Sequence, residues 1–221
     1  MSVLIALPCY NGNVSEQTTV GLFKLGKELS KRGIEHGILT LSNESLISRG
    51  RSRIANFYVN NTSFDYLFFL DADIGFSVDD FFTLWDNRDL KMVSGCYPMK
   101  SLPLQFNYNL VSPLNKIRND IVEITGIGLG FSLLSREIFV SVMQSFPELK
   151  YRPVIKESTK GMTEDELNNS YHYFHERKVG DCFLPEDHSF FSRAVDCGYK
   201  SWLCSSVTLA HTGYYIFGEK I

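Results

Sequence analysis

Within its first 73 residues the chain repeats one pattern: a short apolar run, a longer segment with apolar residues three and four apart, then another apolar run. The runs are "SVLIALP", "EHGILTL" and "FDYLFFLDAD"; the segments between them are "EQTTVGLFKLGKELSKRG" and "NESLISRGRSRIANFYVNN". A tight turn joins antiparallel strands, whereas parallel strands need a long crossover, most often a helix. The pattern therefore predicts βαβ units, with a parallel sheet covered by helices.

Leu22, Leu25 and Leu29 form the apolar stripe of the first helix, which Gly33 stops, and Ile47, Ile54 and Tyr58 form that of the second. Ser77 and Asp80 have capping-box spacing at the start of a helix "VDDFFTLWDN". "KMVSGCY" reads as the next strand. "PLQFNYNL", "DIVEIT" and "GFSLLS" read as strands of a later, more mixed sheet, followed by a helix "REIFVSVMQSF". Residues 150–184 carry few aliphatic side chains and no period, which predicts a long loop or partly ordered segment, and long loops inside compact domains are usually functional or disordered. "PEDHSFFSRAVDCG" reads as a closing helix with Pro185 at its first position and Gly198 past its end. "KSWLCSSVTLAH" reads as the last strand.

A chain of 221 residues, 44% hydrophobic and without internal repeats, is long enough to bury one core, so a single domain over residues 1–221 is expected. The formal net charge of -3, without a basic block, gives no support to nucleic-acid or membrane binding through bulk charge. The opening apolar run has no Lys or Arg before it and stops at Pro8. That is too short for a signal peptide or a membrane span, and a soluble, cytoplasmic chain is expected. Five cysteines without a CxxC pair argue against a disulfide framework or a zinc knuckle and favour buried free thiols.

The apolar run "YLFFL" ends on Asp71 and Asp73. Ligands of open parallel sheets sit outside the carboxyl ends of the strands, and residues two apart on a strand share a face. Two carboxylates beside a core need a compensating cation, a metal or an arginine. The same pair also suits a plain turn after the strand. Arg49 and Arg53, four apart on one helix face with Asn56, suit a pyrophosphate or an aspartate, while Arg51 is expected to point elsewhere; a solvated basic face explains that pattern as well.

"ALPCYNG", "SLISRGRSRIAN", "FLDADI", "TGIGLG", "PEDHSF" and "AHTGYY" together, in this order, resemble the GT-A glycosyltransferases, which use nucleotide sugars and a divalent metal held by a DxD motif. Within that family the chain is most similar to the small glycosyltransferase domains with which large viruses of chlorella-like algae build capsid-protein glycans. The resemblance implies an α/β fold of GT-A type, a Rossmann-like mixed sheet flanked by helices on both faces, with about residues 1–100 as the nucleotide-binding half and 101–221 as the acceptor and catalytic half. It implies a UDP-sugar donor of glucose or rhamnose type, a glycan or glycoprotein acceptor, an inverting mechanism, Mn2+ or Mg2+ as cofactor, and, for a viral chain, the host cytoplasm. With no membrane anchor or acceptor-binding module visible in the sequence, further domains of a larger polypeptide are expected as partners.

Carried over residue by residue, the resemblance implies that Pro8, Cys9, Tyr10 and Asn11 cradle the nucleotide, with the Tyr10 ring available to stack on uracil. Ala72 leaves room between the acids for a ribose, and Arg49, Arg53 and Asp71 face the donor. Asp71, Asp73 and His211 would hold the metal, whose Lewis acidity stabilises a departing diphosphate. Asp187 is the implied general base and Glu186 the contact to a sugar, although acids in a first helical turn also simply satisfy the helix dipole. Gly126 and Gly128 would let the backbone approach a sugar; a tight turn has the same composition, and the spacing is not that of a dinucleotide site. Two other functions share parts of the pattern. One is a non-catalytic nucleotide-sugar binding module. The other is a phosphatase of haloacid dehalogenase type, whose DxD normally follows the first strand.

Overall fold

A computed structural model describes residues 1–118, 120–153 and 162–218. The first half alternates as expected: β1 (Ser2–Cys9), α1 (Glu16–Lys31), β2 (Glu35–Ser42), α2 (Ile47–Asn61), β3 (Tyr66–Leu70), the short β4 (Ile74–Gly75), α3 (Val78–Asp86) and β5 (Met92–Gly95). Then come β6 (Tyr108–Leu110), β7 (Lys116–Arg118), β8 (Ile121–Ile127), β9 (Phe131–Ser135) and α4 (Arg136–Ser145). The chain continues through β10 (Lys150–Tyr151), α5 (Glu164–Asn168), β11 (Ser170–Tyr171), β12 (Arg177–Val179) and β13 (Cys182–Leu184). It closes with α6 (Glu186–Asp196), β14 (Ser201–Cys204), β15 (Ala210–Thr212) and β16 (Ile216–Gly218).

The main sheet has the order β2-β1-β3-β9-β5-β14-β8-β6, with β7 also paired to β8. Strands β1, β2, β3, β5, β6, β7 and β14 share one direction, and β8 and β9 oppose them. This is a mixed α/β sheet, and helices cover both of its faces. Alternation along the central strands sends their side chains into two separate cores. Val3, Ile5, Leu7, Phe68 and Leu70 pack with Leu25 and Leu29 of α1 and with Phe81 and Trp85 of α3. Leu4, Ala6, Leu67 and Phe69 pack with Ile54 and Tyr58 of α2, Phe139 of α4 and Phe190 of α6. Each such fully buried Leu or Phe contributes roughly 1.5–3 kcal/mol relative to exposure.

The Ser77–Asp80 capping box forms, with both reciprocal hydrogen bonds. Gly33 and Gly198 follow their helices at φ of 66° and 90°, where a side chain would be strained. The sequence reading fails in four places. Helix α2 starts at Ile47, because Asn43 has a φ of 61° and the residues after it form a turn. Pro185 is the cap before α6, which begins at Glu186. The expected last strand is two strands in different sheets, parted at a turn after Cys204. Residues 150–184 are not a plain loop: α5 and two small ladders, β10–β11 and β12–β13, lie within them, while 154–161 fall outside the described residues. Short polar strands there lack the apolar period that would reveal them.

Candidate functional site

The segment Asp71-Ala72-Asp73 begins just past the end of β3 and is fixed by its backbone from several directions. Asp71 N donates to Gly130 O at 2.9 Å, Ser15 N to Ala72 O at 2.7 Å, and Thr212 N to Asp73 O at 2.8 Å. Ser15 is also the cap of α1, and Thr18 of that helix donates its hydroxyl to Ile74 O at 2.8 Å. The start of α1, the start of β9 and the end of β15 therefore all hold this turn. The strand alternation that would have put both carboxylates on one face stops at Leu70, and the two acids take different partners.

Asp71 faces Arg51. Arg51 Nη2 donates to Asp71 Oδ1 at 3.0 Å, and Arg51 Nη1 donates to Glu186 Oε1 at 2.7 Å. The Arg51 side chain is 4% exposed. Burial works against its charge, but the two carboxylates outweigh that and keep it cationic. Arg49 and Arg53, expected at the donor, instead pair with Glu44, Arg49 through Nε at 2.7 Å and Arg53 through Nη1 at 3.7 Å. They line a separate cavity of about 350 Å³ between α2, Tyr151 and Ser170. The expectation for Arg51 is thus overturned. A step of four and then three from Ile47 passes through Arg51 to Ile54, so position 51 falls on the stripe that turns toward the sheet.

Asp73 faces His211 and Lys100. His211 Nε2 lies 3.5 Å from Asp73 Oδ2, and Lys100 Nζ donates to the same oxygen. His211 Nδ1 stands 2.8 Å from Pro98 O, and since a carbonyl only accepts, the Nδ1 carries the proton. That leaves Nε2 as the ring nitrogen facing the Asp73 carboxylate. Burial opposes the Asp73 carboxylate, but its hydrogen bonds from His211 and Lys100 win and hold the group below its usual range.

Two clefts meet at His211. One, of about 500 Å³, is lined by Pro8, Tyr10, Asn11, Arg51, Asp71, Ala72 and Asp73. The other, of about 270 Å³, is lined by Tyr97, Lys100, Asn107, Gly128 and Asp187. His211 belongs to both walls. Tyr10 is 68% exposed, its ring free on one side of the larger cleft. Cys9 lies beneath, its thiol pushed up by burial and by Asp71, and it borders a smaller hollow with Pro8, Glu44 and Gly50.

Glu186 and Asp187 begin α6 but diverge. Glu186 turns to Arg51, its carboxyl pushed up by burial against the pull of that guanidinium. Asp187 opens into the smaller cleft, one carboxylate oxygen accepting from His188 N at 2.7 Å. Gly128 is pressed by the Tyr97 hydroxyl and Gly130 by the Asp71 carboxylate, so a methyl at either would collide. Gly126 packs instead on the buried His188 ring, where a Cβ would stand 2.7 Å from Nδ1. Tyr173 is core, edge-on to Phe139.

Of the expected metal ligands, Asp73 and His211 come together while Asp71 is held by Arg51. Among the described residues no group of three or more His, Cys, Asp and Glu side chains is placed to hold a metal. The pair does fit a divalent cation: one carboxylate and one imidazole whose tautomer is set by a backbone carbonyl, with further positions left to oxygens of a ligand. Sequence reasoning missed Arg51, Tyr97 and Lys100. For Arg51 the stripe was a signal; for Lys100 none existed, since an irregular loop brings it to Asp73.

All five cysteines are free, and no helix among the described residues is long and apolar enough to cross a membrane. No protein-family model matches the sequence, and a comparison with curated proteins gives no match. Among solved structures, the chain is similar to A197 from STIV, at 18% identity and TM-score 0.58 over 100% of this chain and 95% of that one. It is also similar to GalNAc-T7, solved with UDP, GalNAc and Mn2+, at 10% identity and TM-score 0.51 over 96% of this chain and 44% of that one. At such identities the likeness is one of fold: the chain shares its mixed α/β sheet, with helices on both faces, with both of these structures.

Proposed function

We propose that the protein transfers a sugar from a UDP-sugar to a hydroxyl of a glycan or glycoprotein, with Mn2+ or Mg2+ as cofactor and inversion at the sugar. The observation that carries this reading is the pair of clefts sharing the His211 wall, with an acid loop in one and Asp187 in the other. Transfer needs two substrates meeting at one point, and this arrangement supplies two chambers with a common boundary.

In this reading the 500 Å³ cleft takes the nucleotide, formed mainly by the first 100 residues, and the Tyr10 ring stacks on the base while Asn11 and Pro8 border it. Asp73 and His211 hold the divalent cation, which when bound neutralises charge on the departing diphosphate. Asp187 accepts the proton of the attacking hydroxyl from the opposite chamber, as an inverting displacement requires. Glu186 and Asp71 are orientated by the shared Arg51, and Gly128 and Gly130 keep the floor low. The likeness to GalNAc-T7, which was solved with UDP and Mn2+, supports the reading at the level of fold.

A phosphatase of haloacid dehalogenase type is disfavoured by Asp71, whose two oxygens lie 3.0 and 3.3 Å from Arg51 Nη2, so that a buried cation rather than the open cleft is the carboxylate's nearest partner. The test is release of UDP from a panel of UDP-sugars with manganese, followed by chromatography with and without sugar acceptors. Metal-dependent UDP release is expected for at least one donor. Binding without any turnover would favour a non-catalytic module, and phosphoryl labelling of Asp71 would overturn the transferase.

A further inference from the structure

Asp73 already has a cation. Lys100 Nζ bonds to its Oδ2, the oxygen that also lies 3.5 Å from His211 Nε2. The lysine is not a stray surface side chain. Its stem lies along the turn between β15 and β16, where a Cβ on Gly213 would stand 3.2 Å from Lys100 Cδ and 3.6 Å from Cε. The loop that carries it also orients the histidine, because Pro98 O accepts from His211 Nδ1 at 2.8 Å, two residues before Lys100. Inside that loop Met99 N donates to Gln105 O at 2.7 Å and Ser101 N to Met99 O at 2.8 Å, which fixes the backbone on either side of the lysine. One loop therefore presents both the imidazole Nε2 and an ammonium to one carboxylate.

A divalent ion held by Asp73 and His211 must take the space and the charge that the ammonium now uses. Both cations cannot sit on one oxygen without strong repulsion. We propose that Lys100 is a built-in counter-ion of Asp73 that a divalent cation displaces, and that the released ammonium then serves a phosphate of the bound nucleotide; this rests on the metal and nucleotide reading above. Lys100 lies in the wall of the smaller cleft next to His211, the residue common to both chambers, so a swing of its flexible stem keeps Nζ at the boundary between them. The device holds Asp73 compensated while no ligand is bound. It also makes occupancy by metal and by nucleotide mutually supporting, since each gains from the move of the same side chain.

The experiment is titration of the purified protein with Mn2+ alone, free ion being read by electron paramagnetic resonance. Lys100→Met is expected to raise Mn2+ affinity about five- to tenfold over wild type, the scale of removing one half-exposed ion pair and its repulsion. Lys100→Arg keeps the competing charge and should stay near wild type. An affinity for Lys100→Met equal to or below wild type overturns the displacement. In a second arm, with manganese saturating, UDP binding to Lys100→Met is measured by calorimetry and should weaken at least about threefold. Unchanged UDP affinity overturns the role of the released ammonium. Asp73→Asn separates the two ideas: if it binds Mn2+ as wild type does, the metal reading itself fails, whatever Lys100 does.

Discussion

Arg51 and Glu186, 135 residues apart in sequence, meet in an ion pair of 2.7 Å between the second helix and the first turn of the sixth. The same guanidinium holds Asp71, so one buried cation organises acids from both halves of the chain. Removing either helix end would leave charge stranded inside the protein.

Arg51→Met should therefore be costly. With its partner gone, each carboxylate stays partly buried without a counter-ion, and breaking such a pair costs about 3–5 kcal/mol. Arg49→Met, at a side chain 39% exposed whose buried partner Glu44 keeps Arg53 as a second cation, should cost under about 1 kcal/mol. Urea unfolding of both variants measures the contrast, and equal losses would show that Arg51 is no organiser.

The pH dependence of the same cluster has a definite sign. Burial raises the Glu186 carboxyl in the folded protein above its ordinary value. A raised group contributes stability that is fully present below the unfolded value and is lost as pH rises through the folded one. Glu186→Gln cannot titrate, so its stability relative to wild type should climb as pH rises above the ordinary carboxylate value of about 4. A flat difference above that value, from unfolding curves at each pH, would contradict the shift.

Asp187→Asn should leave nucleotide binding unchanged and slow transfer by about two orders of magnitude or more. The substitution keeps the shape of the residue and its place in the 270 Å³ cleft. Calorimetry with UDP and manganese, beside a transfer assay, separates binding from turnover. Unaltered transfer would move the base to another residue.

Gly130→Ala is a test of the acid loop from outside its sequence. A methyl there collides with the Asp71 carboxylate and the Tyr97 hydroxyl, both of them partly buried. The overpacking should cost about 1–3 kcal/mol and weaken UDP binding by displacing Asp71. Wild-type affinity at unchanged stability would show that the loop yields freely.

Much of this was legible in the residues. The run "YLFFL" placed β3, the alternation of apolar runs and stripes gave the order of the first five main-sheet and helical units, and Ser77 with Asp80 marked a helix start. The resemblance put Asp73 and His211 at one metal, and in the fold His211 Nε2 stands 3.5 Å from Asp73 Oδ2. Where the reading failed, the cause was physical. Arg51 was expected only to point away from the Arg49 and Arg53 face, and the helical step that does this puts it inward between two acids, where charged residues rarely sit. The segment before α6 hides its ladders because two- and three-residue strands with polar side chains leave no period to count. Lys100 and Tyr97 reach the site through a loop whose path depends on tertiary contacts with Gly128, Gly213 and His211.

The ladders β10–β11 and β12–β13 share no rung with the nine-stranded sheet. Their amides open by local fluctuation, whereas those of β3, paired with β1 on one side and β9 on the other, exchange only when the sheet itself gives way. The molecule thus has a hard floor and a soft rim. The mostly exposed hairpin β12–β13 leading into Asp187 can therefore shift without disturbing the register of the floor that fixes Asp71 and Asp73.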